Sequence, residues 1–283
     1  MRFGVHVSIA GGLVKAVERA KEKGCEAMQV FLGSPRGWKS RPLVDEEIEG
    51  FRRSREEVGI YPVVVHTSYL LNLASEGDLY EMSKEALREE MRKAKLLGME
   101  FVVTHIGHLK PGMERGKGRE RVVAAIERAI EIADEGWPKL LLENVTGPES
   151  AVGASFEEIG RIMEGVGMDE RVGVCMDTCH AFANGYDLRN PEGLEMLLEE
   201  IRGSVGIDRL LLIHANDSKA PLGSRKDRHE HIGKGEIGLP AFEILVNHAA
   251  LSELPCILET PVETEEDDKM NLAAIRSVYH GKR

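Results

Sequence analysis

The 283-residue sequence contains no run of about 18 apolar residues, so no membrane span is expected. Its first residues, MRFGVHVSIAGG, lack the basic stretch and long apolar core of a secretory leader, and none is expected. Cysteine is scarce. Cys25, Cys175, Cys179 and Cys256 form no C-x-x-C pair, which argues against a disulfide framework at this length and for a reducing, cytoplasmic setting. All four read as small packing residues. Positive charge is in deficit: the formal net charge is −11, which argues against broad electrostatic attraction to nucleic acid unless bound cations reverse the local sign. Glutamine is nearly absent, Gln29 being the only one, while Glu, Lys and Arg abound, a bias that leans toward heat stability. No internal repeat, low-complexity tract or linker interrupts the chain, so a single domain, 1–283, is drawn.

What is present is an alternation. Short apolar, β-branched runs at 3–7, 27–32, 63–66, 101–105, 140–145, 172–177, 210–214 and 256–260 read as strands. Amphipathic Glu/Lys/Arg-rich segments at 12–23, 46–57, 83–97, 118–135, 155–165, 191–203, 240–248 and 265–278 read as helices. Ser155 and Glu158 form a candidate capping box at the start of the fifth helix. Strands without a polar face imply a parallel sheet covered on both sides. Eight such units in this length point to a closed (β/α)8 barrel, a TIM barrel, with a doubly wound open sheet as the alternative.

In a barrel the site lies at the carboxyl ends of the strands. The segment VGVCMDTCHAFANGYD delivers Asp177 and His180 to one such end. Its neighbours deliver His66, His105, Glu143, His214 and Glu259, and the loop after strand seven adds Asp227 and His229. One such histidine would read as a core residue. Five imidazoles and four carboxylates buried together would be very costly without compensation, and metal ions remove that cost. Nitrogen and oxygen donors without cysteine suit zinc or manganese at open, catalytic sites. Nine donors exceed one zinc and imply two or three ions with a bridging carboxylate. Three divalent ions would leave the cluster net positive and attractive to a phosphodiester.

The segments GVHVSIAGGL, HTSYLLNLAS, LLENVTG, DTCHAFANGYD, NDSKAPLGSRKDRHEHIGKG and ILETP resemble the endonuclease IV family of apurinic/apyrimidinic (AP) endonucleases, over the whole length. The resemblance implies a (β/α)8 barrel, three zinc ions and cleavage of double-stranded DNA on the 5′ side of an abasic site in base excision repair. The products would be a 3′-hydroxyl and a 5′-deoxyribose phosphate. It implies one zinc on His66, His105 and Glu143, and a second on Glu143, Asp177, His214 and Glu259. A third would sit on His180, Asp227 and His229, with manganese as an option at one site. Two ions about 3.5–4 Å apart would generate hydroxide near neutral pH. Glu259 and Glu143 would be the catalytic carboxylates, Glu259 orienting the nucleophile.

Arg36, Tyr69 and Leu70 match family positions that enter the duplex at the lesion, where a wedge must replace lost stacking. Arg225, Lys226 and Arg228 lie beside two ligands and suit phosphate contact. His6, at the end of strand one, is expected to support ligands rather than bind metal. Ile106 and Ser34 depart from common family residues and bear on loop shape and DNA affinity. Members of the family are usually monomers. The competing readings are a metal-dependent sugar isomerase or epimerase, which uses one or two metals, and a non-catalytic binder of damaged DNA. Neither needs three sites.

Overall fold

The computed structural model describes residues 1–38, 41–133 and 138–281. Eight parallel strands close into a barrel: β1 Arg2–His6, β2 Ala27–Val30, β3 Val63–His66, β4 Phe101–His105, β5 Lys139–Glu143, β6 Val172–Asp177, β7 Leu210–His214 and β8 Pro255–Leu258. Each strand pairs with its sequence neighbours, and β8 pairs back onto β1. The open-sheet alternative is therefore excluded. The strands lie where the apolar runs predict them.

The connecting helices are α1 Leu13–Glu22, α2 Asp45–Val58, α3 Asp78–Leu97, α4 Arg115–Ile130, α5 Phe156–Gly165, α6 Thr178–Asn184, α7 Pro191–Ser204, α8 Leu239–Asn247 and α9 Asp267–Ser277. Three differ from expectation. Helix α3 starts five residues before 83, because Gly77 at positive φ and Asp78 in the first turn set its start instead of the apolar stripe. The short α6 lies outside every predicted helix; Asp177 starts it by accepting a hydrogen bond from the His180 N–H at 2.7 Å. Helix α4 starts three residues before the expected 118 and stops at Ile130, with 131–133 already outside it; of its expected end, 134–135 lie outside the described residues. The capping box at Ser155 is half made. Ser155 Oγ accepts from the Glu158 N–H at 3.2 Å, but Glu158 turns to the Gly153 N–H at 2.8 Å.

Strand pleating builds the site. Ala27, Val64, Phe101, Val103, Leu141, Cys175, Leu212 and Ile257 pack together inside the barrel. Side chains two apart share a face. One step further along, those strands present Gln29, His66, His105, Glu143, Asp177, His214 and Glu259. A polar layer thus sits directly on an apolar one. A register shift at Val174/Cys175 pairs Cys175 with Leu212 and Asp177 with His214. Without it, Val174 against Leu210 would leave Asp177 opposite Ile213.

Helix α3 leans Glu90 into a cavity of about 20 Å³ bordered by Phe31, Ser34, Trp38, His66 and Ser68. The residue is half-buried, but its Oε2 is sealed and has no hydrogen-bond partner among the described residues. Burial, aided by Glu89 and opposed by Lys93, raises this carboxyl to about 7. A folded-state pKa above the unfolded one favours the protonated native state, so this group's contribution is lost as pH rises from about 4.5 through 7. Glu90→Gln is expected to match the wild type at pH 4 and to exceed it by about 1–3 kcal/mol at pH 8. Denaturant melts of both proteins across that range check this; parallel curves would refute it.

Candidate metal centre

The nine residues singled out at the strand ends lie in three adjoining groups in one pocket at the carboxyl end of the barrel. In each group the ligand atoms fall within 4.8 Å of one another. In the first, His66 Nε2 and His105 Nε2 both stand 3.2 Å from Glu143 Oε2. In the second, Asp177, His214 and Glu259 join Glu143. His214 Nδ1 is 3.1 Å from the other oxygen of Glu143, Oε1, and 3.3 Å from Glu259 Oε2. In the third, Asp227 faces His180 Nε2 at 3.3 Å and His229 Nε2 at 3.1 Å. Asp177 Oδ2 lies 3.8 Å from His229 Nε2 and so links the second group to the third. Glu143 turns one oxygen to each of the first two groups, the disposition a bridging carboxylate needs.

The orientation of the imidazoles is set from outside the pocket. Nδ1 of His66 faces the Thr67 carbonyl at 2.8 Å, that of His180 the Asn144 carbonyl at 2.9 Å, and that of His229 the Glu259 carbonyl at 2.9 Å. An Nδ1–H donating to a backbone carbonyl leaves Nε2 with its lone pair toward the pocket. Asn144 also donates to the Asp177 carbonyl and accepts from the Asp177 N–H. Asn216 donates to Asp177 Oδ2 at 2.6 Å and accepts from the Glu259 N–H at 2.8 Å. Asp217, fully buried, accepts from the N–H groups of Ser218, Gly233, Gly235 and Ile237 and so fixes the loop beyond β7. None of these three residues stands out in the sequence. The only signal is an Asn or Asp directly after, or two and three residues after, a strand-end ligand.

The electrostatics call for cations. Glu143 and Asp177 are fully buried and the Glu259 side chain is nearly so. Burial alone would push the Glu259 carboxyl up, but His214 and the other imidazoles pull it down to about 2. Asp227 is likewise held well below its ordinary value, burial being overridden by His180 and His229. The imidazoles move the other way. Against the opposing effect of burial, Asp177, Asp227 and Glu143 lift His180 to about 10, and Asp227 and Asp177 lift His229 to about 9. Protons alone can balance these carboxylates only by occupying nitrogen lone pairs. A divalent cation supplies the charge and uses the lone pairs. His229 Nε2 is sealed from solvent, points at two carboxylates and has no hydrogen-bond partner among the described residues, which suits a ligand atom. The donor set therefore fits metal ions. Cys179 also reaches Asp177 and His229 within ligand distance, but burial raises its thiol to about 12.

The remaining predicted residues surround this pocket. Tyr69 is 52% exposed, its ring 5.4 Å from the His66 ring and 5.7 Å from that of His105. Leu70 is half-buried beside it, and Arg36 is exposed on the neighbouring loop, where Tyr69 N–H bonds the Pro35 carbonyl. Arg225, Lys226 and Arg228 are exposed on the loop that carries Asp227. His6 stays outside the three groups; burial lowers it to about 4, and its Nδ1 lies 3.2 Å from Gln29 Nε2. His108 and His231 do not join them either. The four cysteines are buried and unpaired. Among the described residues no helix is long and apolar enough to cross a membrane.

Residues 17–278 match the family model described as a xylose isomerase-like TIM barrel. The chain is 47% identical to a probable endonuclease 4 of Methanoculleus marisnigri, with 97% of this chain and 98% of the relative covered. It is 44% identical to another from Halothermothrix orenii, covering 96% and 98%. Among solved structures, endonuclease IV from Thermus thermophilus superposes with a TM-score of 0.88 at 40% identity, covering 98% of both chains. A D-tagatose 3-epimerase-like protein superposes at 0.73 with 21% identity, which shows a shared barrel and no more. The His, Asp and Glu groups at the strand ends, the barrel and the full-length relatives agree: the chain belongs to the endonuclease 4 family.

Proposed function

We propose that this protein is an AP endonuclease of DNA repair, a metal-dependent hydrolase that cleaves the phosphodiester on the 5′ side of an abasic nucleotide. The products are a 3′-hydroxyl and a 5′-deoxyribose phosphate. The observation that carries this reading is Glu143, whose two oxygens face two separate sets of ligands while Asp177 links the second set to a third. A sugar epimerase, with one or two metals, has no use for the third set, and a passive DNA binder has none for a carboxylate shared between two.

The nine residues would hold three zinc ions, grouped as above. Zinc held by these residues would supply Lewis-acid polarisation of the phosphate and would make water acidic enough to ionise near neutral pH. The protein does the rest. Glu259, ionised and tethered by its neighbours, orients the attacking water in line with phosphorus. Asp227, half-exposed at the pocket mouth, keeps the third group open toward the leaving 3′-oxygen. Tyr69 and Leu70 fill the space that the flipped abasic nucleotide leaves, with Arg36 beside them. Arg225, Lys226 and Arg228 hold backbone phosphates and counter the repulsion that an overall charge of −11 would otherwise exert on DNA. The chain supplies every ligand itself, so one domain acting as a monomer suffices. Four unpaired cysteines support a cytoplasmic setting.

The test is a duplex carrying one tetrahydrofuran abasic analogue. The analogue lacks the aldehyde that β-elimination needs, so only hydrolysis can open it. Metal-loaded protein is expected to nick it on the 5′ side, and chelation is expected to stop the reaction. An intact duplex after incubation with the loaded protein would sink the assignment.

A further inference from the structure

Gln29 is the only glutamine in the chain, and it is fully buried on β2 in the same layer as the ligands. Its side-chain Oε1 lies 2.8 Å from His214 Nε2. Its Nε2 lies 2.5 Å from Glu259 Oε1 and 3.2 Å from His6 Nδ1. His214 differs from His66, His180 and His229. Those three turn Nδ1 to a backbone carbonyl and offer Nε2 to the pocket. His214 offers Nδ1, toward Glu143 and Glu259. Its outer nitrogen is therefore Nε2, which points into the barrel where a side chain must supply the acceptor.

We propose that Gln29 is a positioning residue that fixes His214 as an Nδ1 ligand. The amide can sit only one way round. Reversed, its oxygen would face Glu259 Oε1, and a carboxylate has no proton to share. With the amide N–H committed to Glu259, Oε1 must accept from His214 Nε2–H. That bond places the proton on Nε2 and leaves the Nδ1 lone pair for the ion. Glu259 thus governs the tautomer of His214 through one intervening amide, and two ligands of the second group are oriented together. Isolated glutamine chemistry gives no hint of this; the layer that β2 shares with β3–β8 does.

The inference rests on the metal reading, and Gln29→Met separates the two. Methionine keeps the length and volume and removes all three hydrogen bonds, to His214, Glu259 and His6. In the wild type, competition against a chromogenic chelator should resolve tightly bound zinc, and histidine-selective nitrogen NMR should show one Nδ1-ligated imidazole. In Gln29→Met, zinc affinity at one class of site is expected to fall about 10–100-fold while the remainder is unchanged. The NMR signature of His214 should shift toward the other tautomer or a mixture. Gln29→Glu, which restores the acceptor but places a carboxylate against Glu259, should recover the His214 tautomer without recovering full affinity. Unchanged zinc affinity and an unchanged His214 signal in Gln29→Met would overturn the proposal. A wild type that binds no zinc would overturn the metal reading, and this proposal with it. Circular dichroism of each variant reports whether the barrel is intact.

Discussion

Glu259→Gln is expected to lower the rate of nicking by about 10³-fold while the barrel folds normally. The substitution is nearly isosteric, and the residue lies just past β8, so no ladder hydrogen bond is touched. What changes is charge and donor type. Glu259 Oε2 stands 3.3 Å from His214 Nδ1, where a shared ion would sit, and Oε1 is held by Gln29 at 2.5 Å. With a carboxyl pulled down to about 2 by His214 and the other imidazoles, the group is ionised at neutral pH. An amide there removes one unit of negative charge from the second group. It also sets an N–H donor against either Gln29 or the ion, so one contact is always wrong. Nicking rate, zinc content and melting temperature measured on the same preparation separate the possible failures. Wild-type turnover in this variant would refute the role given to Glu259. Lost turnover with an unfolded barrel would instead show a structural residue.

Much of this arrangement is legible in the sequence, for a reason specific to barrels. A strand buried on both faces must be apolar almost throughout. A His or Glu at its carboxyl end, as in VVVH or LLLE, therefore stands out against its own strand. His66, His105, Glu143, Asp177, His214 and Glu259 are visible in this way, as are the strands that carry them. The features that stay hidden depend on register and on side-chain direction. The pairing of Asp177 with His214 needs the shift at Val174/Cys175, which no local pattern announces. Asn144 and Asn216 look like ordinary residues of strand-to-loop turns, yet their amides hold Asp177 and Glu259 in place. Helix α6 escapes because its seven residues are too few to show a period, and its N-cap, Asp177, reads as a ligand alone. Gln29 is conspicuous only for its rarity, whereas its function follows from the layer in which it sits.

Glu143→Gln should have the other large effect, and on metal content as much as on rate. Glu143 is fully buried, 3.2 Å from His66 and His105 through one oxygen and 3.1 Å from His214 through the other. Among the described residues no other belongs to both of the first two groups. Its carboxyl is held far below the ordinary range: burial opposes ionisation, but His214 and His105 outweigh it. Glutamine can present one oxygen to one group. Its amide N–H2 then faces imidazole nitrogens whose lone pairs should meet a cation. If the proposed three ions are bound, the protein is expected to lose about two of them, the pair a shared carboxylate would bridge, and with them all measurable nicking. The group formed by His180, Asp227 and His229 shares no ligand with Glu143 and should keep its ion. Zinc counted per chain by elemental analysis therefore has a definite expected value, close to one. A full complement in Glu143→Gln would mean that the two groups hold their ions independently, and the bridging role would have to be given up. Loss of every ion would show that the three groups form a single cooperative cluster rather than a bridged pair with an independent neighbour.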